Sequence, residues 1–231
     1  ARIGAAHELD TVIGMHGLHY VLAGRVDFDH FMHDVRGAAI TLGEQAHAAS
    51  WAAVGGDGAR PATQRARVID QSLGGYRLLW DAGSAVRTRI GELIGLALPP
   101  VEGEPQEWMV GLLRWLRIGG EGQVDAGVEL LARRALAAGV RALAGGAAGA
   151  PMRGILLRGD AGDATELLVP TLFDRSVRLL EIASQGLPDD WRAASRVERR
   201  RVVEVSEASG AYYRVSLAPS AVAATGGSRE N

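Results

Sequence analysis

The sequence lacks both cysteine and lysine, and each absence excludes a group of chemistries. Without cysteine there are no disulfides, no thiolate nucleophile and no cysteine ligands for a metal. Because all 25 basic residues are arginine, Schiff-base lysines, lysine general bases and the lysine of a phosphate-binding P-loop are also excluded. Any nucleophile or general base must therefore come from another residue type.

Charge of one sign and long apolar runs are scarce as well. The net charge is only −2, so bulk electrostatics do not favour binding to nucleic acid. No apolar run approaches the roughly 18 residues that a membrane-spanning helix needs. The first residues have neither the basic start nor the apolar core of a signal peptide. We therefore expect a cytoplasmic protein that binds neither nucleic acid nor membranes.

Histidine is present but confined to the first 47 residues, at positions 7, 16, 19, 30, 33 and 47. His33 lies in the run Phe31-Met32-His33-Asp34-Val35-Arg36-Gly37. An imidazole with a carboxylate one residue away and a small residue one turn further suits a histidine that carries a phosphoryl group. The i, i+3 pairs His16/His19 and His30/His33 leave a metal site as an alternative. A single surface histidine beside an acid on a helix has, in most proteins, no function.

The N-terminal part has the periodicity of a helical hairpin. Apolar and small residues recur with alternating steps of four and three, which is a heptad pattern, at Phe28, Met32, Val35, Ala39, Leu42, Ala46 and Ala49. A second such pattern extends from Ile69 to Ala97 and ends at Pro99-Pro100. Because one hairpin cannot bury both faces, we expect two copies to pair into a four-helix bundle in a homodimer.

After Pro100 the pattern changes. We expect helices around residues 108–116, 128–143 and 175–184, with a further helix after residue 190. Strands are expected at 153–158 and 165–169, and a hairpin of strands at 202–206 and 212–217. These elements predict an α/β sandwich with a largely antiparallel sheet. The residues after Pro219 are expected to be disordered.

The hairpin with its His-acid-aliphatic-Arg run, residues 33–36, resembles the dimerisation and phosphotransfer domain of sensor histidine kinases. The part after Pro100 resembles their ATP-binding domain, a Bergerat-type sandwich, so the resemblance covers most of residues 26–218. The expected Asn is missing from the helix at 128–143, and residues 170–176 lack the family's Asp-x-Gly-x-Gly run. The chain is therefore similar to the ChpT family of histidine phosphotransferases, whose ATP site is degenerate.

This resemblance implies an α+β protein with three parts: a phosphotransfer hairpin in a dimeric four-helix bundle (1–100), a degenerate Bergerat-type domain (101–219) and a tail (220–231). His33 would relay a phosphoryl group between receiver aspartates, with Asp34 fixing its tautomer. The partners would be response-regulator receiver domains, including the receiver of a hybrid histidine kinase, and the contacts would be His30, Arg36, Gly37 and Ile40. The protein would need no cofactor or metal of its own, since Mg²⁺ would come with the receiver. The alternatives are a non-catalytic dimeric scaffold that binds a response regulator, and an atypical sensor histidine kinase.

Overall fold

The computed structural model describes residues 3–4, 7–36, 60–83, 88–144, 147–158, 166–185 and 196–220. Strands dominate these ranges, and the helices within them are short. The strands are β1 Ile3–Gly4, β2 Glu8–Ile13, β3 Gln64–Ser72, β4 Gly75–Trp80, β5 Leu93–Ala97, β6 Met109–Ile118, β7 Val124–Ala132, β8 Arg134–Ala144, β9 Ala147–Ala148, β10 Met152–Arg158, β11 Glu166–Pro170, β12 Leu179–Ser184, β13 Arg196–Ala208 and β14 Tyr212–Pro219. The helices are α1 Gly14–Leu22 and α2 Phe28–Arg36.

Six of the first seven strands form a closed antiparallel barrel. Its strand order is β3-β2-β5-β6-β7-β4, and β4 pairs back onto β3, while β1 pairs with the end of β3 that extends beyond β2. Closure leaves these six strands without a free edge. The interior is filled by large apolar side chains, among them Leu78, Trp80, Ile94 and Leu113. The indole of Trp80 donates to the hydroxyl of Thr11 at 3.0 Å, so its polar atom is satisfied in the core.

Six of the remaining seven strands form a second closed barrel. The order is β8-β10-β11-β14-β13-β12, with β12 paired back onto β8 and β9 added beyond β8. Its interior contains Val140, Leu156, Ile182 and Val215. A single residue, Arg133, separates the last strand of the first barrel from the first strand of the second.

Helix α1 lies between the two barrels. Leu18 and Val21 of this helix share one buried cluster with Leu93 and Ala97 of the first barrel and with Ile155 of the second. Strand β5 is therefore buried on both faces, because its alternate residues point into the barrel interior. The two barrels and the helix thus share a continuous apolar core.

Helix α2 buries the face that its heptad pattern predicted. Phe28, Met32 and Val35 are almost inaccessible to solvent. They pack against Ala137 of β8 and Ala183 of β12, the outer face of the second barrel. The apolar face of this helix was correctly identified, but the surface that covers it is a sheet and not a second helix.

The predicted fold class is therefore wrong. The protein is mostly β, with two barrels, and not an α+β protein built from a helical hairpin, a four-helix bundle and a Bergerat-type sandwich. The segments expected to be helical at 69–97, 108–116, 128–143 and 175–184 contain strands β3 to β8 and β12. The strands predicted at 153–158 and 165–169 and the final hairpin are confirmed as β10, β11, β13 and β14.

Two further observations concern the predicted boundaries and spans. Pro99-Pro100 lies in the loop between β5 and β6 of the first barrel. Of the predicted tail at 220–231, residues 221–231 lie outside the described residues. No helix in the described ranges has the length and hydropathy needed to cross a membrane.

Candidate functional site

The residues expected to carry phosphotransfer lie together on the solvent side of α2. His30, His33 and Asp34 are exposed, and Arg36 is the last residue of the helix. Gly37 and Ile40 lie outside the described residues. In the parts of the chain that the structure covers, no group of three or more His, Asp or Glu side chains is arranged to hold a metal ion.

His19, a member of one of the histidine pairs, is a core residue. Its ring is 1% exposed and contacts Phe28 and Phe31 edge-on, with centroid distances of 5.4 and 5.0 Å. The Nε2 atom lies 3.2 Å from the carbonyl oxygen of Ala138, so Nε2 carries the proton and donates it. Burial, with a smaller contribution from the positive charge of Arg153, lowers the pKa of His19 to about 3. The ring is neutral and unavailable to a metal or phosphoryl group.

A cavity of about 580 Å³ lies where the first barrel meets the start of the second. We call it the junction cavity. Its volume falls in the range of sites for small molecules, which is roughly 300–1,000 Å³. One wall is the β5–β6 loop with its prolines, and the other is the connection between β7 and β8. The lining residues are Leu98, Pro99, Pro100, Val101, Glu104, Pro105, Gln106, Glu107, Met109, Arg133 and Arg134.

The loop wall of the junction cavity is fixed by Gln106. Its Nε2 donates to the carbonyl oxygen of Leu98 at 2.8 Å and to the carboxylate of Asp10 at 2.9 Å. Its Oε1 accepts from Arg25 at 3.4 Å. Arg25 is held in the left-handed region with φ of 65°, and it also reaches the hydroxyl of Thr63 at 3.4 Å. One amide therefore connects both ends of the loop to β2 and to the segment between the helices, so the wall is preorganised.

The carboxylate that anchors this loop is itself fully engaged. Asp10 is 8% exposed and accepts from Gln106 on one oxygen and from Arg65 on the other, the latter at 3.4 Å. Arg65 also lies 3.5 Å from Glu8. These groups support the wall of the cavity but are not among the residues that line it.

The charged lining consists of Arg133, Arg134, Glu104 and Glu107. Both arginines are exposed, and within the described residues neither forms an ion pair with a carboxylate. A guanidinium without a carboxylate partner can bind a phosphate or the O6 and N7 atoms of guanine with two parallel hydrogen bonds. The proline and leucine residues of the same lining provide an apolar surface that can accept the face of a base.

A second polar cluster in the first barrel is closed by internal pairing. Arg77 of β4 binds Asp125 of β7 with two hydrogen bonds, at 3.0 and 2.7 Å. These hydrogen bonds, followed by the charge of Asp125 and more weakly that of Asp70, raise the pKa of Arg77 above its ordinary value. Arg67 is likewise paired with Asp81 at 3.0 Å. The charges of Arg77 and Arg67 are thus neutralised by carboxylates of the same barrel.

One family model matches the chain, and it coincides with this part of the structure. The middle PilZ domain of the cyclic-di-GMP receptor FimW matches residues 55–136, about a third of the chain. The match includes β3 to β7 and every residue that lines the junction cavity. No curated protein matches the chain significantly. Over the matched residues the first barrel is therefore similar to a PilZ domain.

The match and the barrel fold together overturn the resemblance to ChpT-like histidine phosphotransferases. The phosphorelay function is wrong, as are the alternatives of a response-regulator scaffold and an atypical sensor histidine kinase. The physical cause lies in α2, whose buried face was read as half of a helical bundle although it covers a barrel. The predicted partners, the homodimer and the lack of a cofactor stay predictions, as do any contacts made by His30, His33, Asp34 and Arg36.

Sequence reasoning missed the residues of the junction cavity. The pattern at 128–143 predicts a helix that would contain Arg133 and Arg134, and no motif indicates a role for Gln106. The available signal was the Pro99-Pro100 and Glu104-Pro105 loop followed by an arginine pair at a strand junction. This loop and the arginine pair indicate a site only when residues 124–144 are recognised as two strands.

Proposed function

We propose that the first barrel is a cyclic-di-GMP-binding module of a regulatory protein. The observation that carries this proposal is the match of residues 55–136 to the PilZ domain of a cyclic-di-GMP receptor. The barrel to which these residues contribute β3 to β7 is closed and well packed, so it can present a ligand site on a rigid scaffold.

The junction cavity is the proposed location of the ligand. Cyclic-di-GMP carries two phosphodiester charges and two guanine bases. Arg133 and Arg134 provide two guanidinium forks for these groups. Glu104 or Glu107 can accept hydrogen bonds from the donor groups of a guanine, and the proline-rich wall can stack on its face. The mixture of charges and apolar surface suits a nucleotide better than a simple anion.

The position of the two arginines also supports a regulatory role. Arg133 follows the last strand of the first barrel, and Arg134 is the first residue of β8 in the second. A ligand held by both side chains would therefore contact the connection between the barrels. Binding would restrict this connection, and its free energy would depend on how the barrels are arranged.

Calorimetric titration of the full chain with cyclic-di-GMP tests the function. We expect saturable binding, and at least tenfold weaker binding of cyclic-di-AMP, which has the same phosphodiester ring but lacks the guanine O6 and N2 groups. The absence of heat and of saturation with cyclic-di-GMP would contradict the function. Equal affinity for both dinucleotides would contradict recognition of guanine.

The location is tested separately with the double variant Arg133→Gln/Arg134→Gln. Loss of charge-assisted hydrogen bonds at about 1.5–3 kcal/mol each should weaken cyclic-di-GMP binding by about tenfold or more. Arg117→Gln is the matched control, because Arg117 is an exposed arginine of the same barrel that lies over Trp115 and outside the cavity. If the control loses affinity and the double variant does not, the function stands and the junction cavity is the wrong site.

A further inference from the structure

A second cavity, in the second barrel, lies outside the residues that match the PilZ domain. Its volume is about 570 Å³, and it is lined by Arg175, Ser176, Arg178 and residues 202–205 of β13. We call it the bulge cavity. It is located where β12 begins beside β13, since the backbone N–H of Val202 donates to the carbonyl oxygen of Arg178 at 2.9 Å.

The bulge cavity has two guanidinium groups that are not neutralised by ion pairs. Arg175 and Arg178 are exposed, and in the described part of the chain neither forms an ion pair with a carboxylate. By contrast, Arg214 of the same barrel is paired with Glu166 by two hydrogen bonds, at 3.1 and 2.6 Å. The charge on the cavity wall is therefore available to a ligand.

The two guanidinium groups are also held in place. Arg178 donates from Nη1 to the carbonyl oxygen of Arg175 at 3.0 Å, and the guanidinium carbon of Arg175 lies 5.8 Å from the ring centroid of Tyr213. The nearby carboxylate of Asp174 is occupied by the backbone N–H of Ser176 at 2.8 Å. Hydrogen bonds from Ser176, more than the charge of Arg178, hold the pKa of Asp174 below its ordinary value. Asp174 thus shapes the turn that presents both arginines.

The opposite wall is formed by an irregular part of β13. The pairing of β13 with β14 shifts register between Val202 and Glu204, and again between Val205 and Glu207. Such bulges redirect side chains and occur often beside functional sites. The extra residue, Val203, is 56% exposed, and Glu204 places one carboxylate in the lining. Among the lining residues there are thus two cations and one anion, while Asp174 lies near Arg178 outside the lining.

We propose that the bulge cavity binds a small phosphate ester, whose phosphate is held between Arg175 and Arg178. Two guanidinium forks match the several oxygens and the double charge of a phosphate better than a single carboxylate. The apolar surface of residues 202, 203 and 205 would contact the organic part of the ester. This site is independent of the junction cavity and of its ligand.

The experiment uses inorganic phosphate as the probe and the full chain as the protein. Arginine Nε–H resonances are followed by NMR during titration with phosphate and, in parallel, with acetate at equal ionic strength. We expect saturable shifts at two arginines with phosphate and at least tenfold weaker binding of acetate. The double variant Arg175→Gln/Arg178→Gln should weaken phosphate binding by at least tenfold. The double variant Arg175→Lys/Arg178→Lys, which keeps the charge without the fork, should be intermediate.

Arg199→Gln is the control, because Arg199 is an exposed arginine of β13 that does not line the cavity. All substituted side chains are exposed, so the variants should melt at the temperature of the wild type. Phosphate binding that survives in Arg175→Gln/Arg178→Gln, or that is lost equally in Arg199→Gln, would overturn the proposal. Equal binding of acetate would show a general anion surface and would overturn it too. Intact phosphate binding in Arg133→Gln/Arg134→Gln is expected, because that variant changes only the junction cavity.

Discussion

The buried histidine between the barrels gives this protein a predictable sensitivity to acid. The pKa of His19 falls from an ordinary value of 6.5 to about 3 in the folded state, chiefly because burial penalises the charged ring. Below pH 6.5 the unfolded chain takes up a proton that the folded chain cannot accept until about pH 3. The contribution of neutral His19 to the free energy of unfolding is therefore present above pH 6.5 and is lost progressively as the pH falls below that value. The loss between pH 7 and pH 5 attributable to this residue is about 2 kcal/mol.

Urea denaturation at pH 7 and pH 5 measures this loss once the other titrating groups are subtracted. The variant His19→Gln removes the titration but keeps an N–H that can donate to the carbonyl oxygen of Ala138. Its stability at pH 7 is expected to be lower, because the ring contacts with Phe28 and Phe31 are lost. Its further loss on going to pH 5 should be smaller than that of the wild type by about 2 kcal/mol.

The matched control is His33→Gln, which removes an exposed histidine from α2. If wild type and His19→Gln lose the same stability between pH 7 and pH 5, the ring is not held neutral and the reasoning fails. A direct check is the NMR titration of the His19 ring in the folded protein, which should show no protonation at pH 5. A midpoint near the ordinary value of 6.5 would refute the assigned burial effect.

Two backbone positions give further predictions. A Cβ on Gly75 would overlap the backbone carbonyl of Val128, so Gly75→Ala should lower the free energy of unfolding in urea by about 1–3 kcal/mol. Gly74→Ala, with no atom near its added Cβ, should change it by no more than about 0.5 kcal/mol, and equal losses in both would contradict the contact. Arg25 adopts φ of 65°, a region that costs an ordinary side chain about 1–2 kcal/mol. Arg25→Gly should therefore be more stable than Arg25→Ala in thermal melts, and the reverse order would show that the backbone is unstrained.

Burial on one face helped to predict the final hairpin, whereas burial on both faces concealed strand β5. The final hairpin alternates between inward and outward residues, with Val215 and Leu217 inside, and it was correctly predicted. Strand β5 has apolar neighbours on both faces, since Leu93 and Ala97 contact α1 while Ile94 and Leu96 fill the barrel. A run that is buried on both faces has no period of two, so it is easily assigned to a helix.

Helix α2 shows a different limit of sequence reasoning. Its period identified the buried residues correctly, because amphipathic spacing depends only on which side faces the core. The same period carries no information about what covers that side. A sheet surface of small residues such as Ala137 and Ala183 accepts Phe31 and Met32 as readily as a second helix would. The resemblance to histidine phosphotransferases required a second helix packed against α2. The sequence pattern does not determine what packs against α2, so the resemblance had no support at this point.

The charge composition of the sequence does not predict the two candidate sites. A net charge of −2 averages over arginines that are paired with carboxylates and arginines that are not, so it does not indicate where unpaired arginines lie. Arg77 and Arg214 each bind a carboxylate with two hydrogen bonds, so their positive charge is neutralised within the barrels. The arginines at the two cavities form no such pairs within the described residues. Because the chain has no lysine, every unpaired cation is a planar fork, which favours phosphate and guanine over a simple counter-ion. Whether an arginine pairs with a carboxylate depends on the register of strands that are distant in sequence. The sequence alone therefore does not show which arginines lack a carboxylate partner.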